Sequence, residues 1–197
     1  MKHVDYYFTL SSPWTFLGHA RFRAIAARTG TEVAYRPVDF GVIFPESGGL
    51  PLRKRAPQRQ AYRLMELRRW SAYLGIPMII EPRFFPVDDK PAARLLIAAQ
   101  QAGQPVDLLT GALMAMVWQK ERDLSADDTL IDAATLVGLD GPALLAASKQ
   151  PAAQATHQAY TQEALARGVF GAPTFVYRDE LFWGQDRLDF LERALLA

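Results

Sequence analysis

The sequence predicts an α/β fold: one four-stranded sheet unit interrupted by a large all-helical insertion. Three observations carry this. The chain opens as strand, helix, strand; its middle is alanine-rich and helical in period; its end returns to two short strands and a helix. At 197 residues the chain is long enough to bury a substantial core in one domain carrying an insertion.

Residues 4–10 alternate and are rich in aromatics, which reads as a first strand. Ser12-Pro13 marks a helix start, because serine is a favoured N-cap and proline suits the first helical position. Trp14, Leu17, Phe22 and Ile25 continue at helical spacing, and Gly30 ends the element. Residues 32–38 read as a second strand, paired in parallel with the first across the helix. Residues 40–57 read as a Gly/Pro-rich loop. Helices are expected over about 58–74, 90–101, 106–119, 127–137, 141–148 and 152–167, where most of the alanines fall. Gly75-Ile76-Pro77 and Gly103-Gln104-Pro105 are breaks, and Asp127 with Asp128 caps a first turn. Residues 174–177 and 181–183 form a hairpin over Arg178-Asp179-Glu180, and Asp186 opens a last helix.

Composition excludes several functions. With 22 basic against 21 acidic side chains, nothing draws the whole chain to nucleic acid or to an anionic membrane. The first residues carry no long apolar run of signal-peptide type, and no stretch of about 18 apolar residues occurs, so a cytoplasmic protein without membrane spans is expected. There is no cysteine. That rules out disulfides, thiolate metal sites, a cysteine nucleophile and a C-x-x-C redox pair. His3, His19 and His157 lack metal-ligand spacing, and His19 reads as a helix-surface residue. The basic run Arg53, Lys54, Arg55, Arg59, Arg63, Arg68 and Arg69 reads as a solvated helix face, or as a lure for a small anionic substrate.

Three places offer chemistry. Ser11-Ser12-Pro13-Trp14-Thr15 joins the first strand to the first helix, where unpaired N–H groups favour an anion; it is either a plain N-cap or a site. Gly168-Val169-Phe170-Gly171-Ala172-Pro173-Thr174 enters a strand through a proline, a bend or a cis peptide. Phe182-Trp183-Gly184-Gln185-Asp186-Arg187 lies on a strand-to-helix turn, where Asp186 either caps the helix or binds an ammonium group.

Taken together, the order β-α-β, helical insertion, β-β-α resembles a DsbA-like thioredoxin fold. Ser12-Pro13-Trp14-Thr15 stands in that family's C-P-x-C slot with both cysteines replaced, and Pro173 matches its cis-proline. Asp5-Tyr6-Tyr7-Phe8, Ser12 through Gly18, Arg69-Trp70, Gly75-Ile76-Pro77, Val169 through Thr174 and Trp183 through Leu188 are similar to 2-hydroxychromene-2-carboxylate isomerase, a family close to kappa-class glutathione transferases. These matches run in order over nearly the whole chain. The resemblance implies a discontinuous thioredoxin-like domain, residues 1–45 plus 168–197, and a helical insertion domain, residues 46–167. It also implies a homodimer.

The resemblance further implies glutathione as cofactor. Ser12 would hydrogen-bond its sulfur. Ala172 beside Pro173 would pair with its cysteinyl part. Gln185 and Asp186 would hold its γ-glutamyl end, Asp186 by pairing with the α-ammonium group; Trp183 would also line the glutathione site, and Arg59 would contact it from the loop side. A thiolate so held would add reversibly to an unsaturated carbon of an aromatic carboxylate, the ring would open, a single bond would rotate, and the thiolate would leave. Trp14, Phe40 and Phe44 would wall the substrate, with a cation from the basic run. The rivals are a kappa-like glutathione transferase and a non-catalytic DsbA-like binding module. Ser47-Gly48-Gly49 stands where relatives carry an asparagine, Gln185 replaces a smaller residue, and residues 84–91 differ from the isomerase's arginine-bearing version.

Overall fold

The run Val4 to Phe8 is buried at every residue, so the first strand, β1 (His3–Phe8), must lie inside the sheet with both faces covered. A computed structural model, which describes residues 1–197, shows this arrangement. The four-stranded sheet has the order β2-β1-β3-β4, with β2 (Glu32–Pro37), β3 (Thr174–Tyr177) and β4 (Glu180–Trp183). β2 runs parallel to β1; β3 runs antiparallel to it, with Tyr7 opposite Thr174. The hairpin from β3 to β4 turns on Arg178 and Asp179, both at positive φ (49° and 64°), as a tight two-residue hairpin turn requires.

Nine helices accompany the sheet: α1 (Pro13–Thr29), α2 (Phe40–Ser47), α3 (Pro57–Leu74), α4 (Lys90–Gln101), α5 (Asp107–Trp118), α6 (Asp127–Leu136), α7 (Gly141–Ser148), α8 (Pro151–Ala166) and α9 (Leu188–Leu196). Two corrections to the sequence reading follow. Residues 40–57 are not all loop: Asp39 caps α2 by accepting from the Gly41 N–H at 2.8 Å, Gly48 ends it in the left-handed region, and a 3-10 turn follows at Leu52–Lys54. Gly41 and Pro45 within α2 hide it from a propensity reading. Asp186 does not open α9 directly; it sits in a separate 3-10 turn, Gln185–Arg187. Asp127 and Asp128 do lie in the first turn of α6. There they pair with Lys149 and Arg122, a structural use of charge.

Alternate β1 residues feed different cores. Val4, Tyr6 and Phe8 join a large cluster built with α1, α4, α5, α6 and α9 around the fully buried Trp118. Tyr7 joins a smaller one on the other face, with Val38, Phe40, Ile43 and Ala164. The large cluster spans the sheet unit and the helical insertion without a break. On the smaller face the buried Asp5 takes Arg36 at 3.0 Å and Arg167 at 2.6 Å, and Tyr7 donates to Glu163 at 2.7 Å. The Asp5–Tyr7 motif is thus used to tie β1 to β2 and α8.

Candidate functional site

β1 ends at Phe8, and the chain turns through Thr9–Ser12 into α1. Ser12 is the N-cap, extended at φ −75° and ψ 124°, and its Oγ accepts from the Thr15 N–H at 3.2 Å. That is the only hydrogen bond its side chain makes. The hydroxyl proton is therefore uncommitted, on a partly exposed residue at the positive end of a 17-residue helix. Thr15, the second residue in a cysteine slot, is fully buried and its Oγ1 has no partner.

The register and the loops bring the three sequence-predicted places together. Tyr7 opposite Thr174 puts the end of β1 beside the Ala172–Pro173 peptide, which is cis. The Gly184 N–H donates to the Pro173 carbonyl at 2.8 Å, which joins the second place to the third. Gly18 of α1 lies under Gln185; a Cβ there would sit 2.7 Å from that of Gln185. Gln185 is buried, and its Oε1 has no partner. Trp183 is half exposed and packs on Phe170 at 4.8 Å between ring centroids; it covers Gly171, where a Cβ would come 2.2 Å from the indole Nε1. Asp186 is exposed and accepts from the Arg187 guanidinium at 2.9 Å.

The turn before Ser12 is pinned by a residue that sequence reasoning missed. The Asp89 Oδ2 accepts from the Ser11 N–H at 2.8 Å and from the Thr9 hydroxyl, which itself lies 3.1 Å from the Ser11 Oγ. Asp89 stands at the N-cap of α4 but caps nothing there, because its carboxylate is spent on a segment 78 residues away. No local pattern could have shown this. Burial pushes the Asp89 carboxyl up, against the opposing bonds from Thr9 and Ser11. Asp89→Ala is expected to lose about 1–3 kcal/mol of stability, since it leaves the Ser11 N–H without its partner. Urea unfolding at neutral pH measures this, and a variant as stable as wild type would show that the pin is idle. The next residue, Lys90, pairs with Asp39 at 3.1 Å, which ties the start of α2 to the same corner.

The predicted substrate wall is divided. Trp14 packs against the large cluster; Phe40 and Phe44, 5.3 Å apart, belong to the smaller one. Their link to the Ser12 turn runs through Lys90 and Asp89. Arg59 is exposed on the first turns of α3. Arg63 is a correction to the reading of the basic run as a solvated face. It lies four residues before the buried Leu67, on the face that Trp70 and Leu74 pack inward. Its guanidinium stacks 4.9 Å over the Phe85 ring, and its Nη2 is buried without a partner. Burial, reinforced by Arg55, lowers it to about 10. The spacing 63-67-70-74 was the signal that could have revealed it.

His19 is also not on the surface. It is 4% exposed because α1 is enclosed by the sheet, α5 and α9. Its Nε2 donates to the Asp107 carbonyl at 2.8 Å, so the neutral ring carries its proton there, and Nδ1 is left unpartnered. Burial lowers its pKa to about 4. No group of His, Asp and Glu is arranged to hold a metal ion, and no helix is long and apolar enough to cross a membrane. A hollow of about 580 Å³ lined by Met1, His3, Thr29 and Arg178 lies at the other end of β1, away from this chemistry.

Residues 3–196 match the DSBA-like thioredoxin domain family. A 2-hydroxychromene-2-carboxylate isomerase of Sphingobium xenophagum is 32% identical over 99% of this chain and 98% of the relative. One of Pseudomonas putida is 29% identical over 98% and 93%. A solved 2-hydroxychromene-2-carboxylate isomerase superposes with a TM-score of 0.82 at 26% identity, covering 98% of this chain and 94% of that one.

Proposed function

The chain belongs to the 2-hydroxychromene-2-carboxylate isomerase family within the DsbA-like thioredoxin fold, and on that footing we propose that it is a glutathione-dependent isomerase of an aromatic carboxylate. Its substrate is 2-hydroxychromene-2-carboxylate or a close analogue, converted to the trans ring-opened pyruvate form. The observation that carries this reading is the uncommitted Ser12 hydroxyl at the α1 N-terminus, in a chain that has no thiol of its own.

Those residues suit glutathione. Ser12 and the positive end of α1 favour a sulfur anion over a thiol. The backbone of Ala172, beside cis-Pro173, offers peptide groups for an extended peptide, and the exposed Asp186 offers a carboxylate for an α-ammonium group. Bound there, glutathione supplies the thiol nucleophile for reversible addition that the chain lacks. The chain's own share is to hold the sulfur as its anion through Ser12, to orient the tripeptide through the Ala172 backbone just before β3, and to wall the substrate with apolar groups such as Trp14.

Titration calorimetry with glutathione tests the first half, and product analysis tests the second. The expected result is heat of binding and turnover that requires glutathione without consuming it. A conjugate that accumulates at the expense of glutathione would make the protein a transferase. Absence of both binding heat and glutathione dependence would leave only a binding module.

A further inference from the structure

Most partly buried arginines of this protein have a carboxylate. Arg21 has Asp189, Arg23 has Asp107, Arg36 and Arg167 share Asp5, and Arg122 has Asp128 and Asp132. Arg63 has none, and its side chain makes no hydrogen bond to the protein. A guanidinium withdrawn from water without a counter-charge is unfavourable unless something else completes it. The carboxylate that acts on it, Glu81, is exposed and lies 4.0 Å from Arg68 instead. Two further cations stand along the same stretch. Arg55 is partly buried and anchored through its Nε to the Leu50 carbonyl at 2.8 Å, and burial, reinforced by Arg59, lowers its pKa in turn. The cluster is therefore positive, with Arg55 and Arg63 partly withdrawn from water and Arg55 anchored.

It also has an aromatic side and a tether to the candidate site. The Arg63 guanidinium lies over Phe85, whose ring is held 5.0 Å from the buried Trp118. Four residues on, Asp89 accepts from the Ser11 N–H. Four residues span about 14 Å at most, so the aromatic face under this cation and the residue that pins the Ser12 turn lie on one short segment. α3 itself packs on α1.

We propose that Arg63, seconded by Arg55 and faced by Phe85, is the subsite that takes the carboxylate of the planar aromatic substrate. The inference rests on the isomerase reading above for its substrate class. A fork of N–H donors beside an aromatic face suits a carboxylate carried on a flat ring. A carboxylate could also come from glutathione, whose glycyl end is an anion without a ring; Phe85 favours the aromatic acid.

The probes are trans-2-hydroxycinnamate and its neutral methyl ester, titrated against wild type and Arg63→Met with tryptophan fluorescence as the readout, alongside calorimetry with glutathione. Wild type is expected to bind the acid at least tenfold more tightly than the ester. Arg63→Met is expected to bind the two alike while its Kd for glutathione stays unchanged. Removing an unpaired half-buried charge should not unfold the protein; Arg63→Gln is the second variant, with the same expectation. A preference for the acid that survives in these variants would overturn the assignment. So would a loss of glutathione affinity with that preference intact, since Arg63 would then belong to the cofactor's carboxylate. The acid–ester comparison needs no turnover, so it reads the subsite even if the wild-type protein fails to bind glutathione and the isomerase reading falls.

Discussion

Replacing Ser12 with glycine is expected to lower glutathione-dependent kcat about a hundredfold while leaving the protein folded. Ser12 has two roles that must be separated. As N-cap it accepts from the Thr15 N–H at 3.2 Å, and its loss to alanine would cost about 1 kcal/mol of stability. Glycine caps almost as well, at a cost of only a few tenths of a kcal/mol, so Ser12→Gly removes the hydroxyl with little damage to the helix start. What remains is the lost charge-assisted hydrogen bond to a sulfur anion, roughly 1.5–3 kcal/mol, and each 1.36 kcal/mol is about tenfold in rate. The same loss should raise the pKa of bound glutathione, which thiolate absorbance against pH measures directly. Ser12→Thr keeps both the cap and the donor and should keep most of the rate. Ser11→Ala is the control: the contact of Ser11 with Asp89 is made by its backbone N–H, which alanine retains. Wild-type kcat in Ser12→Gly would remove Ser12 from the chemistry and leave it a cap.

The parts of this protein legible in the sequence are those set by local chemistry. Ser12-Pro13 announces a helix start because capping is decided within three residues, and α1, α4 and α7 begin where the sequence predicts. Pro173 could be placed because its neighbours form a recognisable loop, and the peptide is cis as expected. The misreadings share one cause. A charged or polar residue on a helix reads as solvent-facing because it usually is; tertiary packing buries His19 and partly covers Arg63. α1 has almost no solvent side in its first half, since sheet, α5, α9 and the 185–187 turn surround it. Asp89 was invisible for another reason. Its partners are far along the chain, and an aspartate at a helix start looks the same whether it caps the helix or reaches elsewhere.

The second large effect is on acid stability. Between pH 6.5 and about 4 the protein is expected to lose roughly 3 kcal/mol of stability through His19 alone. In the unfolded chain this histidine takes a proton at its ordinary pKa of about 6.5; in the folded protein burial holds it neutral down to about 4. The unfolded state therefore binds more protons across that window, and stability rises with pH there. The contribution is fully present above the unfolded pKa and is lost as pH falls toward the folded one. His157 is lowered by burial too and acts with the same sign, whereas Asp89, pushed up by burial, acts with the opposite one. The lowered carboxylates Asp5 and Asp107 begin to cost stability as pH falls into the ordinary aspartate range, where the unfolded chain starts to take up protons, so they leave only the upper part of the window clear. His19→Gln keeps a donor for the Asp107 carbonyl and removes the titration. Urea unfolding at closely spaced pH values should show the difference between wild type and His19→Gln shrinking steadily as pH falls from 6.5. A constant difference across the window would mean that His19 is not the buried neutral ring that its bond to Asp107 and its burial against Tyr6 and Tyr35 require.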